Sequence, residues 1–125
     1  MENNERKFDL EERLIQFAGK VIHIVDKLPK GLAAKHLAGQ LVRSGTSPAL
    51  NYAEAIGAES KNDFVHKMSI VLKELRETNV CMRIIQGQNY LDESLVKTVG
   101  SECAQLVLIV SKSIRTTKAN MGNKA

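Results

Sequence analysis

Long apolar seams with a four-and-three spacing constrain this chain more than any other feature. Leu10, Leu14, Phe17, Val21, Ile24 and Leu28 recur at alternating steps of four and three. Phe64, Met68, Val71, Leu75, Thr78, Met82 and Ile85 repeat the pattern, and Val96, Val99, Cys103, Leu106 and Val110 carry it again. A period near 3.5 keeps one side of a helix turned toward its partners, whereas a half-buried strand alternates every second residue. Only two prolines interrupt the chain and aromatic residues make up 4% of it, which again favours helix over sheet.

Local signals divide these seams into four helices. Asp9-Leu-Glu-Glu12 reads as a capping box and starts the first helix near Asp9; Pro29-Lys-Gly31 ends it. The second helix covers Leu32 to Ile56, with Ala34, Leu37, Ala38, Leu41 and Val42 on its apolar face. Pro48 cannot donate to the carbonyl of Ser44, which predicts a kink near Pro48, with nearby Ser and Thr hydroxyls satisfying the freed carbonyls. Ser60-Lys-Asn-Asp63 starts the third helix, and Asp63/Lys67 and Lys73/Glu77 are expected as exposed pairs four residues apart. The fourth helix covers Glu93 to Thr117. Short links between long helices predict an all-α, up-down-up-down, left-handed four-helix bundle over residues 1–118, with residues 119–125 as a flexible tail.

The apolar surface exceeds what such a bundle covers. Ile15, Ala18, Ile22 and Val25 form a second stripe on the first helix. Leu95, Val107, Leu108, Ile109 and Ile114 make the fourth apolar nearly all round. This predicts an oligomer interface on the first and fourth helices. The longest purely apolar run, Leu106 to Val110, is far short of the roughly 20 residues that span a bilayer. With a charged N-terminus and two cysteines in no zinc spacing, the chain is expected to be cytoplasmic, free of the membrane, and reduced at Cys81 and Cys103.

Composition argues against catalysis. There is no nucleophile elbow, no Gly-rich phosphate loop and no pair of Glu-x-x-His motifs for a di-metal centre; Asp63-x-x-His66 stands alone. We therefore expect no enzyme, metal or cofactor. Two polar groupings remain. Arg43, Asn51 and Glu54 on the second helix, with Glu74 and Glu77 on the third, are expected to form an internal network in which Arg43 reaches Glu74 or Glu77. The net charge is +4. Lys112, Arg115, Lys118 and Lys124 face no acidic residue in the same stretch, while the rest of the chain is balanced. Lys27, Lys30, Lys35 and His36 cluster at the first turn, with Arg83 and Lys97 at the same end. Lys27, Lys30, Lys35, Arg43, Lys112, Arg115 and Lys118 are the candidate contacts to nucleic acid, by charge and shape rather than by base stacking.

The run Leu37-Ala-Gly-Gln-Leu-Val-Arg-Ser-Gly-Thr-Ser47, followed by Asn51-Tyr-Ala-Glu-Ala55, Asp63-Phe-Val-His-Lys67 and Ile70-Val-Leu-Lys-Glu-Leu-Arg-Glu-Thr78, carries a resemblance. It resembles the bacterial family of proteins encoded in intervening sequences of large-subunit ribosomal RNA genes, and is similar to the accessory variability protein of diversity-generating retroelements. The resemblance spans residues 8 to 118. It implies a four-helix bundle that assembles as a homopentamer, RNA or DNA binding, and a possible protein partner. Cys81-Met82 stands where that family usually carries Trp-Leu, a departure expected to alter packing late in the third helix and the contact between subunits.

Overall fold

The computed structural model describes the backbone of residues 2–122 and the side chains of residues 10–122. Four helices run in order: α1 Glu2–Lys27, α2 Leu32–Ile56, α3 Lys61–Gly87 and α4 Glu93–Gly122. Each packs on the next and α4 closes against α1, giving the all-α up-down-up-down bundle. Among the described residues the packing is densest between α2 and α3 and sparsest between α1 and α4.

The seams form the core. Leu14, Phe17, Val21 and Ile24 meet Leu41, Met68, Val71, Leu75, Met82, Ile85, Val99, Cys103, Leu106 and Val110 in one cluster. Burying each large aliphatic or Phe side chain stabilises the fold by about 1.5–3 kcal/mol. Gly45 sets the approach of α1 to α2. A Cβ there would stand 2.6 Å from Val21 Cγ1, so only glycine lets the two helices cross this closely.

Ser60 caps α3 as expected, its hydroxyl accepting from the Asp63 amide at 3.0 Å. Asp92 caps α4 in the same way. Its carboxylate accepts from the Ser94 amide at 2.9 Å, and these bonds hold it below the usual carboxylate range. Gly31, at φ 145°, enters α2 through backbone that favours glycine.

Several expectations change. The first helix begins at Glu2, not at Asp9, so Asp9-Leu-Glu-Glu12 lies inside it rather than at its start. The Asp9 side chain lies outside the described residues. Residues 2–9 contain neither Gly nor Pro, and local capping potential does not stop a helix that can propagate. At the other end α4 runs on to Gly122, past Thr117, because Lys118-Ala-Asn-Met121 contains no breaker. The expected tail over 119–125 is thus helical through Gly122, and residues 123–125 lie outside the described residues.

α2 is one helix with Pro48 in its interior. The neighbouring hydroxyls do not serve the freed Ser44 carbonyl. Thr46 donates to the Val42 carbonyl at 2.7 Å and Ser44 to that of Leu41 at 3.5 Å. The expected pairs within α3 also give way to longer-range ones: Lys67 turns to Glu54 and Glu77 to Arg43. The pair four residues apart that does form is Glu93–Lys97 at 2.9 Å.

Part of the second apolar stripe on α1 stays outside the core: Ile15 is 50% and Ile22 44% exposed, while Val25 packs against the cluster. On α4, Leu108 is 70% exposed. Uncovered aliphatics also occur on α2 (Leu50, Ile56) and α3 (Val80, Ile84), so they are spread over all four helices rather than confined to the first and fourth. By length and mean hydropathy, 1.3 over its most apolar window, α4 is long and apolar enough to cross a membrane, although its longest unbroken apolar run is short. Its seam residues Val96, Val99, Cys103, Leu106, Val110 and Ile114 are buried in the bundle.

Candidate functional site

The expected polar network splits into three parts. At its centre, Arg43 on α2 reaches across to α3. Its Nη1 donates to both oxygens of Glu74, at 3.0 and 3.2 Å, and its Nη2 bonds Glu77 and the Gln40 side chain. The Glu74 side chain is only 10% exposed, whereas that of Arg43 is 51% exposed. The guanidinium thus lies over a nearly covered carboxylate and neutralises it. The attraction of Glu74, then that of Glu77, raises the Arg43 pKa above its ordinary value.

Asn51 belongs elsewhere. Its amide donates to the Ser47 carbonyl and hydroxyl one turn back, at 3.0 and 2.8 Å. Glu54 forms a separate surface pair with Lys67 at 3.2 Å. Arg43, Glu74 and Glu77 are therefore one unit, and Asn51 and Glu54 are not part of it. A buried pair beneath that unit escaped sequence reasoning: the Thr78 and Ser44 hydroxyls lie 2.9 Å apart. Thr78 sits on an apolar seam and reads as a small filler, so its spacing carried no sign of the bond. The same holds for the bidentate contact of Arg13 on α1 with Glu102 on α4, at 2.8 and 3.1 Å.

The candidate basic residues fall into two groups. Lys27, Lys30 and Lys35 are exposed around the α1–α2 turn, and Lys112, Arg115 and Lys118 are exposed along the last turns of α4. Antiparallel helices of about 25 residues place these groups at opposite ends, roughly 35 Å apart. Arg43 joins neither, since its charge is taken up by Glu74 and Glu77. Among the described residues none of the other six makes an ion pair, while Arg13, Arg43, Lys67 and Lys97 each do.

Two clefts accompany these charges. One, about 400 Å³, opens where the end of α2 meets the start of α3 and is lined by Tyr52, Phe64, Lys61 and Ser113. The other, about 360 Å³, lies between α3 and α4 and brings Arg83 and Lys97 together, at the bundle end where both were expected. The thiols are unsuited to chemistry. Burial pushes Cys103 up to about 12, and burial also raises Cys81. Cys81 is buried with its sulfur 3.7 Å from the Leu37 carbonyl, so the Cys81-Met82 departure bears on the packing of α3 against α2. His23, His36 and His66 are exposed, and no three His, Cys, Asp or Glu side chains converge on a metal position among the described residues.

Four antiparallel helices on one apolar core, clamped across α2 and α3 by an arginine and two glutamates, define a small all-helical bundle protein. The chain belongs to the 23S rRNA-intervening sequence protein family, whose model matches residues 6–112. Its fold is similar to a crystal structure from Bacteroides thetaiotaomicron, a protein of unknown function from the S23 ribosomal protein family. The TM-score is 0.77 at 23% identity, covering 84% of this chain and 97% of that one; a likeness at this identity speaks for the fold alone. The comparison with curated proteins finds no match.

Proposed function

We propose that this protein is a non-enzymatic bundle that assembles into a homo-oligomer, a pentamer by family resemblance, and binds RNA or DNA through its basic surface in the cytoplasm. The observation that carries the reading is that six exposed cations grouped at the two ends of the bundle, Lys27, Lys30, Lys35, Lys112, Arg115 and Lys118, make no ion pair among the described residues. Unpaired surface cations are free to displace counterions from phosphates, which is the main source of sequence-independent affinity. Five copies at +4 would carry about +20, and charge on that scale steers polyanions toward the assembly. The exposed Ile15, Ile22 and Leu108 supply apolar surface for subunit contacts. The family name connects its members with intervening sequences of 23S rRNA, and the reading extends to no structural role in the ribosome.

Labelled RNA and DNA, titrated by fluorescence anisotropy across a salt series with the oligomeric mass measured on the same sample, test the proposal. Affinity should fall steeply with salt, the slope counting phosphate contacts. Absence of binding at about 50 mM salt overturns it. The same exposed aliphatics favour a second reading, an adaptor for a protein partner. Neutralising Lys112, Arg115 and Lys118 separates the two, because RNA affinity drops while an apolar protein contact survives.

A further inference from the structure

The cleft between α3 and α4 combines features that a row of surface lysines lacks. Asn79, Arg83 and Gln86 line one wall from α3; Lys97, Gly100 and Ser101 line the other from α4. Steps of four and three place 79, 83 and 86 on one face of their helix, and 97, 100 and 101 share the facing stripe. The floor is apolar, made by the buried Met82 and Val96. Gly100 keeps the cleft open, since nothing lies within 4 Å of where its Cβ would stand.

The donors match a phosphodiester. Arg83 offers a planar fork and makes no ion pair among the described residues. Asn79 and Gln86 add amide donors, and Ser101 a hydroxyl. Lys97 is held by Glu93 at 2.9 Å, but both side chains are well exposed. Pairs of this kind are worth a few tenths of a kcal/mol, so a phosphate can take Lys97 over at small cost. The aliphatic stems of the exposed Arg83 and Lys97 give a base or ribose apolar surface to rest on.

We propose that this cleft is a seat for one nucleotide unit of a single-stranded RNA, with the phosphate held by Arg83 and Lys97 and the sugar or base in the open space beside Gly100. The proposal rests on the nucleic-acid reading above and gives that reading a defined site.

Fluorescein-labelled oligouridylate, titrated into the full-length protein by anisotropy, is the test. Gly100→Leu fills the cleft without changing charge and replaces glycine within a helix, which favours folding. Its affinity should fall about tenfold, on the scale of one lost base seat. Arg83→Gln should lower the salt slope by about one phosphate contact. Arg83 is exposed, so this variant keeps the test sound if Gly100→Leu melts early. Binding by both variants equal to the parent, with Lys27→Gln/Lys30→Gln/Lys35→Gln weakened, overturns the cleft and leaves the nucleic-acid reading standing. A parent that does not bind overturns both.

Discussion

The Thr78 hydroxyl on α3 lies 2.9 Å from the Ser44 hydroxyl on α2, and neither side chain is exposed to solvent. Thr78 also donates to the Glu74 backbone carbonyl at 2.8 Å, on the residue whose carboxylate Arg43 covers. This stack runs from buried hydroxyls to a surface guanidinium and joins the two most closely packed helices. Thr78→Val should cost about 1–2 kcal/mol, because it leaves the buried Ser44 hydroxyl with only its long 3.5 Å bond to the Leu41 carbonyl. The Ser44→Ala/Thr78→Val double variant should cost less than the sum of the singles, as read by urea unfolding. Strict additivity would show that the hydroxyls do not interact.

Gly45→Ala should destabilise by about 1–3 kcal/mol, although alanine is the better helix former, because its Cβ would press on Val21. Gly39→Ala meets nothing within 4 Å and should stabilise by about 0.5–1 kcal/mol. Val21→Ala should cost less in the Gly45→Ala background than alone. Chemical denaturation of the four proteins checks all three signs.

Arg43→Ala should lower the melting temperature at neutral pH, since it strips the partner from the largely buried Glu74. Adding Glu74→Gln should recover part of the loss by removing the uncompensated charge. If the double variant melts below Arg43→Ala, the clamp does not act by neutralising Glu74.

The Asp92 cap has a pH signature. Its pKa is lowered in the folded state by the Ser94 bonds. Its contribution is present above the unfolded carboxyl value, about 3.9, and is lost as pH falls through the folded one. Asp92→Ala should therefore melt below the parent at pH 6, and the gap should close on acidification toward pH 2. A gap independent of pH would refute the cap.

Cys103 should resist iodoacetamide in the native protein and react on denaturation, because it is fully buried and its thiol is raised to about 12. Mass spectrometry of the labelled peptides measures this. Rapid native labelling of Cys103 would show that α4 opens readily from the bundle.

What was written in the sequence was what a single helix can encode. The four-three steps named the buried side of each helix, from Leu14 and Phe17 on α1 to Leu106 and Val110 on α4. Ser60 announced the start of α3, and opposite charges near the middle of α2 and α3 announced Arg43 against Glu74 and Glu77. Helix ends were less legible: α1 passes through the Asp9 motif and α4 passes Thr117, since propagation outweighs a local stop that lacks a breaker. Tertiary structure alone decided how the helices register. Ser44 meets Thr78, Arg13 meets Glu102, Gly45 meets Val21, and Glu54 takes Lys67, across gaps in the chain that no periodicity spans. Periodicity reports which face is turned inward. The offset between neighbouring helices is set by how their side chains interlock, and the polar partners follow from that offset.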